Sequence, residues 1–387
     1  MSMHVRQVET FVLKIDGGVG YQGVVGQERP DGYHVRPPWR SLYSSRFESL
    51  LVRVTAEDGT VGWGEALAPV APEVPRAVVD LLLAPVLVGL DATMPRRSWC
   101  TLRDLMRERG HLVGHQADAL AAVDIALWDL AGRLAGRSIP EIAGGAFRDE
   151  VPTYVSGLPG VDDAHRADLA REWIDRGANA IKLHLGHGVD SDLATFDAVR
   201  AAVPDVRLAV DAHWVYPFHD ALRLADGLAE RDGWFLEAPL MPEDLAAHAE
   251  LGRRSRVPIA VGEAMRNRYE FQQWFDAGAI GIAQPDIGRT GMTEGLVIAE
   301  LAAARHLPVA PHHSSGLGLA LAAGLCMAAA AETTSVFEYQ VASTEIGSRI
   351  LRNPIEVRSN AFTPPHGPGL GVDVDEEAVR RLAEVAG

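Results

Sequence analysis

Four short apolar runs between Arg207 and Asp286, each carrying an acidic side chain near its end, constrain this chain more than anything else in it. They read RLAVDAH (Arg207–His213), WFLEAPL (Trp234–Leu240), PIAVGEA (Pro258–Ala264) and GIAQPD (Gly281–Asp286). A fifth, LPVAPHH (Leu307–His313), ends in imidazoles. Helix-like segments separate them. Asp211, Glu237 and Glu263 fall 26 residues apart, and His312 lies 26 residues past Asp286. Strand then helix at a steady period of this length is what a (β/α)8 barrel produces. In such a barrel every strand opens at its C-terminal end on one face, so the three carboxylates converge. Three carboxylates in one apolar rim repel each other unless a cation sits between them. Ligation by oxygen alone favours a hard ion such as Mg²⁺.

The chain on either side fits this frame. Residues 1–65 read as strand, loop, strand, strand: Val5–Ile15, Arg46–Thr55 and the hairpin-like Gly59–Glu65. The intervening Asp16–Ser41 loop is rich in Gly, Pro, Tyr and His, and loops of this length are usually functional lids. Gly18, Gly20 and Gly23 match G-x-G-x-x-G, but Pro and Gly follow where a dinucleotide site needs a helix to open. The stretch therefore reads as a flap over the barrel mouth. Residues 73–144 read as helical. Ala119–Gly132 (ALAAVDIALWDLAG) carries apolar side chains at helical spacing, with Asp124 and Asp129 read as bonding neighbouring backbone. Ser138–Pro140 and Gly144–Gly145 mark a boundary. The predicted barrel runs from Val151–Ser156 through Ala180–Leu185 and the five runs above to an eighth strand at Val336–Gln340. The expected domains are 1–145, 146–352 and a Pro- and Gly-rich tail over 353–387.

A chain of 387 residues is long enough for a barrel and a smaller second domain. A formal net charge of −16 argues against a nucleic-acid partner, whose footprint is a basic patch. Two cysteines far apart, Cys100 and Cys326, give no disulfide framework and suit a reducing cytoplasm. The N-terminus lacks the apolar core of an export signal. The longest apolar run, Leu317–Ala331, is too short and glycine-broken to span a bilayer, and reads as a buried Ala-rich barrel helix.

The strand-end set Asp211, Glu237, Glu263, the QPD ending at Asp286 and the APH ending at His312 resembles the enolase superfamily, mandelate racemase subgroup. The resemblance extends over nearly the whole chain. It implies a modified TIM (β/α)7β barrel with an N-terminal α+β capping domain completed by the C-terminal tail. It also implies Mg²⁺ on Asp211, Glu237 and Glu263, binding a substrate carboxylate while a base removes the proton on the adjacent carbon. That proton is weakly acidic, and the cation stabilises the resulting enediolate.

The resemblance offers two base positions. Lys182 and His184, two apart on the second strand, share one face. They occupy the family's Lys-x-Lys position with the second lysine replaced by His184. His184 is then either a base or a rim hydrogen-bonder, with Lys182 holding the substrate carboxylate or depressing the imidazolium pKa. On the other side Asp286 orients His312. Alternation sends His313 away from the site. His213, two residues past Asp211, stands where many members have asparagine and resembles the imidazole that protonates a leaving hydroxyl in acid-sugar dehydratases. Glu338, on the eighth strand, matches a position that donates to a substrate carboxylate, which requires a raised pKa; a solvated rim carboxylate is the alternative. Residues Ser314–Gly316 suggest a helix start whose N–H groups meet an anion. The expected activity is dehydration of a sugar acid. Cycloisomerisation of a lactone and racemisation use the same enediolate, and a catalytically silent sugar-acid binder is the rival of another class. Retention of the metal triad with Asp286 and His312 argues against silence. Specificity is expected in Asp16–Ser41 and near Ala66–Pro72. The expected partners are a small carboxylate substrate and further copies of the chain in a homo-oligomer, without nucleic acid or membrane.

Overall fold

The computed structural model describes residues 3–17, 32–109, 112–358 and 360–386. Gly18, Gly20 and Gly23, with most of the expected flap, lie outside these. Strand β1 (Val5–Asp16) pairs antiparallel with β4 (Arg46–Ala56), and β4 with β5 (Val61–Ala66). Between β1 and β4 along the chain a short hairpin joins β2 (Tyr33–Val35) to β3 (Leu42–Ser44). Helices α1 (Glu73–Val78), α2 (Ala84–Leu87), α3 (Pro95–Met106), α4 (Gly114–Ala135) and α5 (Ile139–Ile142) follow. A π-helical turn, Val79–Leu83, joins the first two. Helix α4 lies directly on β5 because glycine leaves room for it. A Cβ at Gly64 would stand 2.0 Å from the Ala122 carbonyl oxygen, and one at Gly62 2.3 Å from that of Ala126. A capping box between Ser138 and Glu141 starts α5.

The two aspartates of α4 do what the sequence suggested, and they do it across the molecule. Asp129 accepts the backbone N–H of Trp63 in β5 and of Leu370 in the tail, each at 2.8 Å. Asp124 accepts from the Thr293 N–H and hydroxyl, both at 2.7 Å. This caps the helical run that resumes after Gly291, whose φ of 74° and ψ of 173° break the surrounding helix.

Eight strand positions close the barrel, with seven helices between them. They are β6 (Val151–Ser156), α6 (Asp163–Asp175), β7 (Ala180–His184), α7 (Val189–Ala202), β8 (Arg207–Asp211) and α8 (Phe218–Ala229). Next come β9 (Leu236–Glu237), α9 (Leu245–Arg254), β10 (Ile259–Val261), α10 (Arg268–Ala277), β11 (Ile282–Ala283) and α11 (Ile287–Ala303). The seventh position is held by single bridges from Val309 to Ala283 and Thr334. Helix α12 (Gly318–Ala330) leads to β12 (Phe337–Tyr339), which pairs parallel with β6 and closes the ring. Asp162, Asp244 and Asn267 cap α6, α9 and α10 with their side chains. The predicted Ala-rich helix is α12, buried along its whole length. Among the described residues no helix is long and apolar enough to cross a membrane. Both cysteines are free.

After α13 (Val341–Gly347) the tail forms β13 (Val357–Arg358) and β14 (Ala361–Phe362), and β14 pairs antiparallel with β6. Helix α14 (Glu376–Ala386) then returns to the first sheet, where Arg380 stacks on Phe11 and Arg53 meets Glu376 at 3.5 Å.

The helix start suggested by Ser314–Gly316 is expected to meet an anionic group with its N–H groups, and at the start of α12 that group is Glu65, at the end of β5. It accepts from Leu317 N at 2.5 Å and Ala320 N at 2.8 Å, and from the Ser49 hydroxyl at 2.7 Å. The helix end thus finds its negative charge inside the protein. Burial outweighs these bonds and pushes the carboxyl up to about 7. Folded chain therefore binds more protons than unfolded chain between the ordinary glutamate value and about 7. Stability from this group is full below the lower limit and falls as pH rises through the window, by up to about 3 kcal/mol. Thermal unfolding of wild type and Glu65→Gln at pH 5 and pH 8 checks this. The wild type should lose stability relative to the variant on going to pH 8; parallel behaviour would remove the argument.

Candidate active site

Strand alternation builds the site in layers. One inward residue from each strand position makes an apolar plug: Tyr154, Ala180, Ala209, Phe235, Ala260, Ile282, Ala310 and Val336. The alanines make space for the two rings. Two residues further along each strand the same inward face becomes polar, giving Ser156, Lys182, Asp211, Glu237, Gln284, His312 and Glu338. The fifth strand alone breaks the count. Gly262 sits at φ +145°, where a Cβ would meet the Gln284 backbone at 2.9 Å, and the turn it makes brings in Glu263 instead. Backbone register sets His184 beside Asp211 and Asp211 beside Glu237.

The layer is a dense ionic network, buried above the plug. Lys182 Nζ donates to Glu237 Oε1 at 2.6 Å and meets Glu338 Oε1 at 2.9 Å, with Asp211 at 4.0 Å. These acids hold its pKa well above the usual lysine value although burial opposes them. Gln284 Nε2 donates to the other Glu237 oxygen at 2.6 Å. His312 lies between Asp286 (Nδ1 to Oδ2, 2.7 Å) and Glu263 (Nε2 to Oε2, 2.8 Å). Burial disfavours its charge, but Glu338, Glu263 and Asp286 together raise its pKa well above the ordinary value. Burial would also raise Glu263, yet the charge and hydrogen bond of His312 hold it far below the carboxylate range.

His184 is different. Burial lowers it to about 4, Asp211 opposes that shift and Lys182 adds to it, so it is a neutral ring at pH 7. Its Nε2 meets the Ser156 hydroxyl at 3.0 Å. His213, at φ 45°, has its Nε2 3.0 Å from the Tyr43 hydroxyl and its Nδ1 4.0 Å from Glu263 Oε1. It stacks on Trp214 and meets the edge of Trp39. His213 and His312 therefore flank the two oxygens of Glu263. His313 turns away as expected, buried against Phe337, while its N–H donates to Glu338 at 3.1 Å.

Glu338 departs from both readings made of it. It is buried rather than on a solvated rim. Burial would raise its pKa, but Lys182 and His312 bring it down to about 2, so it is an ionised acceptor and not a donor.

Asp211, Glu237 and Glu263 line one side of the layer, although the tightest grouping is Glu237, Glu263 and His312, with ligand atoms within 4.8 Å of one another. Do these residues fit a hard divalent cation? Five carboxylates (Asp211, Glu237, Glu263, Asp286 and Glu338) stand against Lys182 and His312, and burial in this company pushes Glu237 up to about 8. Glu263 Oε1 is buried without a hydrogen-bond partner. An orphaned buried carboxylate oxygen in an oxygen-donor set short of positive charge fits such an ion.

Several residues here escaped the sequence reading. Trp39 and Tyr43 come from the first domain: Trp39 Nε1 donates to the Leu185 carbonyl at 3.1 Å, and Tyr43 reaches His213 across 170 residues of chain. Ser156 and Gln284 were legible only through strand alternation. Arg289, in the first turn of α11, lines the same pocket as His184, His213, Glu263 and His312.

Comparison with known proteins decides the family. Residues 32–144 match the mandelate racemase/muconate lactonizing enzyme N-terminal domain, and residues 165–378 the enolase C-terminal domain-like model. The chain belongs to the enolase superfamily. Among similar superfamily members is the D-galactarolactone cycloisomerase of Agrobacterium fabrum, 35% identical, covering 88% of this chain and 92% of that protein. The D-galactonate dehydratase of Verminephrobacter eiseniae is 31% identical, over 90% and 91%. An enolase superfamily structure from Agrobacterium tumefaciens, 38% identical, superposes with a TM-score of 0.93 over 98% of this chain and 99% of that one.

Proposed function

We propose that this enzyme depends on a divalent metal, removes the proton α to the carboxylate of a sugar acid and expels the hydroxyl on the next carbon as water. The observation that carries this reading is the buried His312–Asp286 pair set against the carboxylate cluster at the head of the pocket. Asp211, Glu237 and Glu263 would hold Mg²⁺, which supplies positive charge beside the substrate carboxylate when bound. Lys182 and Gln284 fix Glu237 from both sides.

Glu263 holds His312 Nε2 at 2.8 Å and helps keep the ring protonated. With a divalent ion taking up the Glu263 charge, His312 would give up that proton and accept the α-proton at Nε2, while Asp286 orients the ring through Nδ1. The C–H electron pair first passes into the substrate carboxylate as an enediolate, then returns as the new C=C bond when the neighbouring C–O bond breaks. The departing oxygen keeps that bond's electrons and takes a proton from His213, leaving as water. Tyr43 fixes the His213 ring from the first domain. His184, neutral and bonded to Ser156, lines the opposite wall.

Relatives named arabinonate, D-galactonate and D-xylonate dehydratases support loss of water. A second reading, opening of a sugar-acid lactone, is favoured by the 35% identity to a D-galactarolactone cycloisomerase. There the departing oxygen leaves as a carboxylate and needs no proton. Solvent deuterium separates both from a silent binder, since only an enzyme washes it into the α-position.

Metal binding has its own test. Saturating Mg²⁺ should stabilise the protein by about 2–3 kcal/mol at a hundredfold excess over Kd, seen as a higher unfolding temperature. Glu263→Gln should abolish the response. A wild-type midpoint indifferent to Mg²⁺ would sink the assignment.

A further inference from the structure

The pocket holds a cation for which the reaction above has no use. Arg289 follows Asp286 by three residues, and its N–H bonds the Asp286 carbonyl at 3.0 Å, which fixes it in the first turn of α11. Its side chain lines the pocket and is half-buried. Its guanidinium makes no hydrogen bond or ion pair among the described residues, and its Nε is buried without a partner. The other arginine of the pocket, Arg46, has the buried Glu48 at 3.7 Å. Asp118, which feels the charge of Arg289 at longer range, is already bonded to Arg266 at 3.2 Å. A partly desolvated guanidinium left unpaired is costly, and its planar fork suits a carboxylate held by two parallel bonds.

Taken with the proposed function, on which it rests, this geometry points to a substrate with a second carboxylate at its far end: we infer that the enzyme acts on sugar acids oxidised at both termini, with Arg289 as the distal-carboxylate site. One carboxylate goes to the metal-binding acids, and the other meets Arg289. A singly charged carboxylate matches one guanidinium. A terminal phosphate would bring a further negative charge into a pocket already lined by Asp211, Glu263 and Glu338.

The test compares galactarate with galactonate, which differ only at the far end, in the presence of Mg²⁺. Wild type should favour galactarate by at least about tenfold in kcat/KM. Arg289→Met should abolish that preference by losing kcat/KM on galactarate far more than on galactonate, and Arg289→Lys should restore part of it. Equal treatment of the two acids by wild type, or equal losses on both in Arg289→Met, would overturn the inference. Binding supplies a readout independent of turnover. Calorimetry on His312→Asn with Mg²⁺ should show galactarate binding weakened by about 10²-fold when Arg289→Met is added. Unchanged affinity would overturn the inference as well. If neither acid is turned over or exchanges its α-proton, the proposed function fails, while the calorimetric arm still decides the role of Arg289. A 6-phosphorylated aldonate that binds more tightly than galactarate would replace the carboxylate with a phosphate and so refute the proposal.

Discussion

His312→Asn eliminates turnover and α-proton exchange together, each falling by at least about 10⁴-fold, the upper range for loss of a general base. The structure gives the reason. His312 is the one imidazole among the described residues locked between a second carboxylate and the cluster, 2.7 Å from Asp286 and 2.8 Å from Glu263. Asparagine fills similar space but cannot take a proton. Exchange of substrate in deuterated water, followed by mass spectrometry, reads the first half-reaction without requiring elimination. Asp286→Asn keeps the imidazole but removes its orienting charge, so a smaller loss in both readings is expected. Exchange that survives in His312→Asn would move the base to the opposite wall, to His184, and the proposed division of labour would fail.

His213→Asn separates the two steps. Loss of water should slow by about 10²–10⁴-fold, the usual worth of a general acid, while α-proton exchange persists because His312 and Asp286 are untouched. Tyr43→Phe removes the hydroxyl 3.0 Å from His213 Nε2 and should reproduce part of the effect. A variant that keeps full activity with its best substrate would remove the need for a leaving-group acid and make lactone opening the leading reading. A racemase would behave otherwise, with His184→Ala and His312→Asn each blocking one direction.

Much of this site is legible in the amino-acid sequence, because its determinants are local. Strand alternation has a period of two, so Lys182 and His184 must share a face, and His313 must leave the face that His312 occupies. The 26-residue spacing of Asp211, Glu237 and Glu263 carries the barrel, and with it their convergence at one end. The helical spacing of Ala119–Gly132 likewise specifies α4 and its two backbone-bonding aspartates.

What only the tertiary structure decided concerns partners far apart in the chain and the charge states they impose. Residue type and spacing describe Glu338 as a strand-end acid. Its ionised state follows from Lys182 and His312 closing on it in a buried space. Glu65 has no local mark of its role, since the helix it caps begins more than 250 residues later. Tyr43 and Trp39 reach the barrel loops from the first domain, and Arg289 is conspicuous only because no described residue pairs with its guanidinium. Periodicity specifies which way a side chain faces. Packing alone specifies what it meets there, and at a buried site the electrostatic energy depends on that meeting.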